Sequence, residues 1–312
     1  MIQFDADTLK KLLDRPALID ALDDAFRTDV TVPLRHHHTM KETHERDSSL
    51  LLMPAWDDGN YIGIKIATIL PQNSEKNLPA VQATIMLLDR TTGQPLAVMD
   101  GAEITARRTA GASALASRYL SRTESSHLLM VGTGVLAPHL IQSHSAVRPI
   151  SKISIWGRNF EKAQSVASTF LDTNINVQAV PVLEDAVADA DIISCATLTQ
   201  NPLIKGAWLK PGQHLDLVGA FTPDMRESDD DAIRRARVFV DAPGAITEAG
   251  EICQPIAAGV LAKSDIQGDL FSMARGTAPL RQSTDEITLF KSAGTAIEDL
   301  VAARVAYERY SD

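Results

Sequence analysis

The chain is poor in cysteine: Cys195 and Cys253 are the only two among its 312 residues. They form no Cys-x-x-Cys pair, and no histidine lies nearby at the spacing of a zinc ligand. Neither a disulfide framework nor a structural zinc site is therefore expected. We predict two reduced, buried side chains in a cytoplasmic protein.

Long apolar runs and excess positive charge are also missing. No stretch approaches the length of a membrane span, and the start "MIQFDADTLKKLL" lacks an apolar segment followed by a small-residue cleavage site. The formal net charge of −10 argues against nucleic acid or an anionic membrane as the main partner. An anionic ligand would have to be held by local positive groups.

The length and the hydrophobic fraction of 45% are typical of a folded protein with two domains. Apolar residues at helical spacing predict one or two helices in the first thirty residues, broken near Pro16. The runs "YIGIKIATIL", "AVQATIMLLD" and "PLAVMDG" predict an antiparallel meander, and a long helix is expected from about Glu103 to Leu120.

From about Ser126 the pattern alternates between strands and helices, which is typical of a parallel sheet covered on both faces. "HLLMV", "KISIWG", "DIISCAT", "HLDLVGA" and "RVFVDA" are the predicted strands. "TLFKSAGTAIEDLVAARVAYERY" is predicted to be an amphipathic helix that returns to the first domain. The predicted fold class is α/β, with a Rossmann dinucleotide-binding domain (121–292) inserted into a smaller α+β domain (1–120 plus 293–312).

The glycine turn in "HLLMVGTGVLAPHL" follows a strand and opens a helix. Gly132 would allow the tight turn, Gly134 the approach of a pyrophosphate, and Ala137 close packing of helix on strand. The helix N-terminus would add N–H groups and a favourable dipole for the phosphates. A Gly-x-Gly-x-x-Ala string can also be only a loop, but this context favours dinucleotide binding.

The end of the next strand reads "SIWGRN", which places Gly157, Arg158 and Asn159 where NAD-binding proteins carry an acidic residue. Because an arginine can pair with a 2′-phosphate, NADP(H) is favoured and NAD(H) remains possible. Alternatively, Arg158 is a solvated residue at a helix start.

Basic residues outside the nucleotide half are candidates for binding substrate. Lys65 lies in the strand "GIKIAT", so its side chain points away from the face of Ile64 and Ile66 and needs an anionic partner if that face is enclosed. Arg107 and Arg108 lie in the helical segment "ITARRTAGASAL", which is otherwise small and apolar, and Arg35 follows "TVPL". Each of these residues could instead form a surface salt bridge.

Two other segments are given structural interpretations. Neighbouring histidines in "RHHH" point to alternating sides and have no identifiable acidic or cysteine partner, so no metal site is predicted. "ESDDDAIRRA" is interpreted as a solvated helix start.

Five ordered segments together resemble the ornithine cyclodeaminase and mu-crystallin family over nearly the whole chain. They are "GIKIATILPQN", "LDRTTGQPLAVMDGAEITARRTAGASALASRYL", "VGTGVLAPHL", "GAFTPDMRE" and "TLFKSAGTAIEDL". The resemblance implies a homodimer with a substrate-binding and dimerisation domain interrupted by a Rossmann domain.

The resemblance also implies roles for single residues. The substrate's α-carboxylate would be held by Lys65, Arg108 and Arg35, the last of them in a segment whose length differs from that of some relatives. Cofactor contacts would come from Gly132, Thr133, Gly134, Val135, Leu136, Gly157, Arg158, Asn159, Val218 and Ser292.

Membership of this family leaves the reaction open. Ornithine cyclodeaminases resemble one another in an Asp where this chain has Phe221, and in a Glu where it has Leu51. Both departures remove carboxylates that could move protons or grip a distal amine, and Asp224 lies in a different register. The resemblance is therefore to the reductase-like branch.

The leading hypothesis is NAD(P)H-dependent reduction of an α-imino acid to an L-amino acid, because a carboxylate clamp beside a nicotinamide would orient an already electrophilic imine. The substrate would be 1-pyrroline-2-carboxylate, 1-piperideine-2-carboxylate, or an acyclic imine of a keto acid. The alternatives are an ornithine cyclodeaminase, which releases ammonia without net redox change, and a ligand-binding protein like mu-crystallin.

Overall fold

A computed structural model describes residues 1–41, 47–76, 78–171 and 174–311. Packing divides the chain into two compact units, Met1–Arg108 with Thr295–Asp312, and Thr109–Gly294. The predicted domain boundaries lie at residues 120 and 293, so on the N-terminal side the division by packing falls earlier, inside the long helix. The functional division of the chain stays a prediction.

The strands, in chain order, are β1 Ile2–Phe4, β2 Val30–Thr31, β3 His36–Met40, β4 Ser48–Asp57, β5 Tyr61–Ile69, β6 Val81–Asp89, β7 Pro95–Asp100, β8 His127–Val131, β9 Lys152–Trp156, β10 Asn176–Ala179, β11 Ile192–Cys195, β12 His214–Leu217, β13 Ala236–Val240, β14 Ile266–Asp269 and β15 Ile287–Lys291. The helices are α1 Ala6–Leu12, α2 Arg15–Arg27, α3 Gly101–Leu120, α4 Leu136–Val147, α5 Phe160–Ser168, α6 Leu183–Asp189, α7 Asp230–Arg235, α8 Ala245–Glu248, α9 Gly250–Ala257, α10 Leu270–Ala274 and α11 Ala296–Ser311.

The first unit is built on a sheet that has seven strands within the described residues. Its order is β1-β7-β6-β5-β4-β2, and β3 also pairs with β4. The predicted meander is confirmed, because β5, β6 and β7 pair antiparallel in succession. Strand β1, which pairs parallel to β7, was not predicted, because three residues carry too little periodicity.

Helix α11 covers one face of this sheet by packing against β4, β5 and β6, and it also contacts α2. The approach to β5 is close at Gly63, where a Cβ atom would lie 3.2 Å from the Cα atom of Leu300. A larger side chain at this position would displace the helix or strain the strand. The absence of a side chain at Gly63 therefore sets the distance between α11 and β5.

The second unit is a parallel sheet in the order β10-β9-β8-β11-β12-β15-β13-β14. The predicted alternation of strands and helices is confirmed. Strand β8 is buried along its whole length and pairs with β9 on one side and with β11 on the other. The sheet is extended by β9 and β10 on the first side and by β11 and β12 on the second. The carboxyl end of β8 is thus a topological switch point, where open α/β sheets bind ligands.

Two sequence expectations are wrong. "TLFK" belongs to β15, which pairs with β12 and β13, and the last helix begins only at Ala296. A short apolar run looks the same in a strand and in a buried helix, so periodicity cannot separate them. Cys253 is half-buried rather than buried, whereas Cys195 is buried as predicted.

None of the helices within the described ranges is long and apolar enough to cross a membrane.

Candidate active site

Lys65 lies on the covered face of the first unit's sheet. Its side chain shares that face with Met53 and Ile85, its partners across β4 and β6, and Lys65 is only 4% exposed. Ile66 points the other way and is 41% exposed. The expected alternation is confirmed, and the buried ammonium has an anionic partner: its Nζ lies 2.7 Å from Oδ2 of Asp299 in α11.

Arg108 reaches the same carboxylate from α3. Its Nε donates to Oδ1 of Asp299 at 2.9 Å, and its Nη1 pairs with Oε2 of the neighbouring Glu298. All four side chains are buried, so two cations and two carboxylates neutralise one another away from water. We call Lys65, Arg108, Glu298 and Asp299 the ion cluster.

Burial lowers the pKa of Lys65 from 10.5 to about 8, and the positive charge of Arg108 acts in the same direction. Asp299 and Glu298 oppose the shift because they stabilise the charged ammonium. Lys65 is therefore charged at neutral pH and can lose its proton under mildly alkaline conditions.

The two adjacent arginines of α3 have different surroundings. Arg107 Nε lies 2.5 Å from Oε1 of Glu103, and its Nη1 donates to the carbonyl oxygen of Leu13 at 2.7 Å. Arg107 thus joins α3 to the residue that follows α1. Of the two, only Arg108 reaches the ion cluster.

Arg35 is half-buried and directly precedes β3. The first pair of the β3–β4 ladder is His36 with Leu52, and Met53, the next residue of β4, lies opposite Lys65. Extending that ladder by one residue would bring Arg35 to the row of the sheet that contains Lys65. The backbone register is thus compatible with the predicted grouping of the two residues.

The glycine turn has the geometry expected after β8. Gly132 has a φ of +122°, and a Cβ atom there would lie 2.5 Å from the carbonyl oxygen of Ala196. At Gly134 an added Cβ would meet nothing within 4 Å. Ala137 is fully buried in the core between α4 and the sheet. The first glycine is therefore required by its positive φ and by the close contact with Ala196, whereas the second faces open space, as the approach of a pyrophosphate would require.

The other predicted residues of this turn lie beside that space. Thr133 and Leu136 are half-buried, and Val135 is exposed. Val135 precedes α4 and provides no side-chain cap, so no side chain from that position competes with a phosphate for the helix amides.

The segment after β9 packs directly on the glycine turn. A Cβ at Gly157 would lie 2.7 Å from Cγ2 of Thr133. Asn159 caps α5 by accepting a hydrogen bond from Lys162 N at 2.9 Å. Arg158 is exposed and forms no ion pair with any residue that the structure describes. Its guanidinium could therefore pair with a phosphate.

Val218 and Ser292 follow β12 and β15 at the same edge of the sheet, but both are buried. The Ser292 hydroxyl, in a residue only 1% exposed, donates to Oδ2 of Asp241 at 3.2 Å. The same oxygen accepts from Ala293 N at 2.7 Å and from Gly294 N at 2.5 Å. Ser292 is thus part of a turn that Asp241 holds.

Glu227 was missed, because "ESDDDAIRRA" was predicted to be a solvated helix start. Asp229 does cap α7, but Glu227 is 0% exposed. Its Oε1 accepts from Thr197 N and Oγ1, both at 2.7 Å, and its Oε2 accepts from Gly219 N at 2.8 Å. Burial raises its pKa. Glu227 therefore joins the loops after β11 and β12.

Asp299 and Glu298 were not predicted as partners of the basic residues, although the sequence contains a signal. A lysine on an enclosed face requires an anion, and these two carboxylates are adjacent in the largely apolar segment "GTAIEDLVAARVA". Because Glu298 and Asp299 are distant in sequence from Lys65 and Arg108, local sequence pattern could not predict the pairing.

The histidines of β3 alternate as expected. His36 and His38 form an edge-on ring pair on one side, with centroids 6.2 Å apart, and His37 lies 2.9 Å from the hydroxyl of Ser49. Among the residues of the described ranges, no group of three or more His, Cys, Asp or Glu is arranged to hold a metal ion.

The positions where cyclodeaminases carry carboxylates differ in their surroundings. Phe221 is 36% exposed, and Leu51 lies in β4 opposite His37. Asp224 is exposed and accepts hydrogen bonds from Gln200 and Thr222. Asp224 therefore has one partner in its own loop, Thr222, and one in the loop after β11, Gln200.

The whole chain, residues 1–312, matches the model of the "Ornithine cyclodeaminase/mu-crystallin family". A Delta(1)-pyrroline-2-carboxylate reductase from Colwellia psychrerythraea is 41% identical over 98% of this chain and 98% of its own.

Two solved structures are similar over the full length of this chain. One is the structure of Thermococcus litoralis Delta(1)-pyrroline-2-carboxylate reductase in complex with NADH and L-proline. Its sequence is 33% identical, the match covers 98% of that chain, and the TM-score is 0.94. An archaeal alanine dehydrogenase dimer with bound NAD is 28% identical and covers 96% of its chain, with a TM-score of 0.92.

Proposed function

The chain belongs to the ornithine cyclodeaminase/mu-crystallin family, and we propose that it reduces an α-imino acid to an L-amino acid with a nicotinamide dinucleotide. The observation that carries the proposal is the ion cluster, in which a lysine and an arginine are held on one carboxylate in a buried setting. A substrate carboxylate is the ligand for which two such cations are suited.

In this proposal Lys65 and Arg108 bind the α-carboxylate, and Arg35 is the third member of the clamp. An ammonium has three N–H donors, of which Asp299 takes one, so Lys65 retains donors for a substrate. The arginine adds a planar fork that matches carboxylate geometry. The clamp would thereby fix the position of the adjacent imine carbon.

The glycine turn and Gly157 to Asn159 would hold the dinucleotide, which would supply a hydride. A protonated imine that gains a hydride at carbon becomes an amine without a further proton, because the π electrons of its C=N bond move to nitrogen. Lys65, with a pKa of about 8, is charged at neutral pH and can assist electrostatically or exchange a proton through water.

The candidate substrates are cyclic imines such as 1-pyrroline-2-carboxylate and 1-piperideine-2-carboxylate, and acyclic imines of keto acids. The Colwellia and Thermococcus relatives are both named for the first of these. Phe221 and Leu51 argue against cyclodeamination, because neither side chain can transfer a proton or bind the substrate's distal amine.

For the cofactor, we propose a preference for NADPH over NADH. The support is Arg158, an exposed guanidinium placed directly after β9 and without an ion-pair partner among the described residues. The similar structures contain NADH and NAD, so this preference would set the present chain apart from them.

We propose a homodimer that forms through the face of the first unit's sheet that lies opposite α11. Half-buried and exposed apolar side chains line this face: Leu50, Leu52, Trp56, Ile62, Ile64, Ile66, Met86, Leu88 and Val98. A surface of this kind marks an interaction site. The alanine dehydrogenase of similar fold was solved as a dimer. A cytoplasmic location stays a prediction from the sequence.

The test is oxidation of NADPH and NADH, followed by absorbance, with the two cyclic imines, pyruvate plus ammonia, and oxaloacetate plus ammonia. We expect oxidation with at least one of them. No oxidation by protein that binds cofactor would contradict the proposal. Release of ammonia from ornithine would then identify a cyclodeaminase, and cofactor binding without activity in either assay would favour a ligand-binding protein.

A further inference from the structure

Asp299 has an unusual position in the ion cluster, because its two oxygens serve different cations. Oδ1 accepts from Arg108 Nε at 2.9 Å, and Oδ2 lies 2.7 Å from Lys65 Nζ. The three residues come from α11, α3 and β5. One carboxylate therefore fixes the relative position of two groups whose backbones belong to different elements.

Glu298 offers an internal comparison. It is equally buried and adjacent in sequence, but it pairs with Nη1 of Arg108 and forms no ion pair with Lys65. Removing Glu298 would leave the Lys65–Asp299–Arg108 bridge in place. Removing Asp299 would separate the two cations.

The backbone of α11 is itself held at this point. Leu300, the residue after Asp299, packs against the bare Cα of Gly63, two residues before Lys65 in β5. The carboxylate is thus carried by a helix whose distance from β5 is set by close packing. Groups held in this way on rigid elements can keep a productive geometry.

We infer that Asp299 is a positioning residue, which holds the Lys65 ammonium and the Arg108 guanidinium at the spacing and orientation needed to receive one substrate carboxylate. The inference rests on the proposed function for its substrate. In this role Asp299 neither contacts the substrate nor transfers a proton.

The cluster geometry has a consequence for the titration of Lys65. The charged groups that act on its ammonium are Asp299 and Glu298 from α11 and Arg108 from α3, and its neighbours across β4 and β6 are the apolar Met53 and Ile85. Because Asp299 raises the pKa of Lys65 against the effect of burial, its removal should move that pKa below its value of about 8.

The experiment compares Asp299→Asn, Asp299→Glu and Glu298→Gln with the wild type. For Asp299→Asn we expect kcat/KM for the imine to fall by about 100-fold, since misplacement by about 1 Å has effects of this size, while cofactor Kd stays within about twofold. The alkaline limb of the pH profile should move to lower pH. Titration of the substrate itself is common to all variants and cancels in the comparison.

The two other variants separate charge from position. Asp299→Glu restores the negative charge on a longer side chain, so we expect the alkaline limb to return toward that of the wild type while kcat/KM recovers only in part. Glu298→Gln leaves the bridge intact and should affect kcat/KM less than Asp299→Asn. Equal effects of Asp299→Asn and Glu298→Gln, or full recovery in Asp299→Glu, would overturn the positioning role.

A readout independent of activity keeps this inference separate from the proposed function. The protein is labelled with [ε-13C]lysine, the Lys65 signal is identified by its loss in Lys65→Met, and its chemical shift is followed against pH. A lower titration midpoint in Asp299→Asn supports the inference even if no imine is reduced. An unchanged midpoint, with an unchanged pH profile in an active enzyme, would overturn it.

Discussion

Ser292 Oγ lies 3.2 Å from Asp241 Oδ2, and that same oxygen accepts the amide hydrogens of Ala293 and Gly294. The hydroxyl of Ser292, a residue predicted to contact cofactor, therefore forms its hydrogen bond within the protein. Burial raises the pKa of Asp241, while the donors that surround it act in the opposite direction. The turn after β15 thus depends on the carboxylate of Asp241, the residue that follows the neighbouring strand β13.

Ser292→Ala should accordingly affect the turn more than the cofactor. We expect the free energy of unfolding to fall by about 1 kcal/mol, the usual net value of one hydrogen bond, and cofactor Kd to change by less than about threefold. Urea unfolding and fluorescence titration with NADPH measure the two quantities. A tenfold weaker Kd at unchanged stability would instead place the hydroxyl in contact with cofactor.

Replacing Gly132 and Gly134 separately with alanine should distinguish the effect of backbone strain on stability from the effect of an added methyl group on cofactor binding. Gly132→Ala is expected to lower the free energy of unfolding by about 1–3 kcal/mol or more, because of its positive φ and the clash with Ala196. Gly134→Ala meets no atom, so it should leave stability unchanged but weaken cofactor binding. Normal cofactor Kd in Gly134→Ala would mean that the dinucleotide does not approach this glycine.

Arg158→Asp tests the cofactor preference. Hydrogen bonds to charged groups contribute about 1.5–3 kcal/mol, so the ratio of Kd for NADPH to Kd for NADH should rise by about ten- to a hundredfold. Lys210→Asp, the same charge change at another exposed position of the second unit, is the control. An unchanged ratio would make Arg158 a solvated surface residue.

His214 should make stability depend on pH. Burial lowers its pKa from 6.5 to about 3, so between these values the unfolded chain binds a proton that the folded protein does not. The free energy of unfolding should therefore fall as pH drops from about 6.5 toward 3, by up to about 1.4 kcal/mol per pH unit. Urea unfolding at pH 7 and pH 5 should show a smaller difference for His214→Gln than for the wild type. Equal differences would contradict the assignment.

Ile66→Asp tests the dimer. A carboxylate at the centre of an apolar interface loses its water without gaining a partner, and in a symmetric dimer the penalty arises twice. We expect a monomer by sedimentation velocity at concentrations where the wild type is dimeric. Leu171→Asp, at an exposed apolar position of the second unit, is the control. A dimer that survives Ile66→Asp would exclude this face.

The parts of the fold that local pattern determines were predictable. The alternation in "GIKIAT" gave the orientation of Lys65, and the strand, glycine turn and helix around Gly132 could be recognised from composition and order. "TLFK" was wrongly assigned to a helix because four residues cannot show a period. Its place between β12 and β13 depends on strands that are distant in sequence.

The site was less predictable than the fold, because its partners are non-local. The need of Lys65 for an anion followed from burial alone, but the choice of Asp299 depends on how α11 packs on β5. Glu227 lies just before a correctly predicted helix start, and its side chain still points inward, toward backbone amides of two other loops. Tertiary hydrogen bonding decided both cases.

The division of the first unit into two pieces of chain affects the order in which the protein is made. Thr109–Gly294 is continuous and has all of its residues before α11 leaves the ribosome, so this unit can fold during synthesis. The sheet of the first unit is translated early, but Asp299, the ion-pair partner of Lys65 and Arg108, is translated only after the entire second unit. A message interrupted after Gly294 would therefore yield the continuous unit together with a first unit that lacks α11. In that first unit Lys65 and Arg108 would have no counter-charge from α11, and quality control could recognise the sheet face that α11 normally covers.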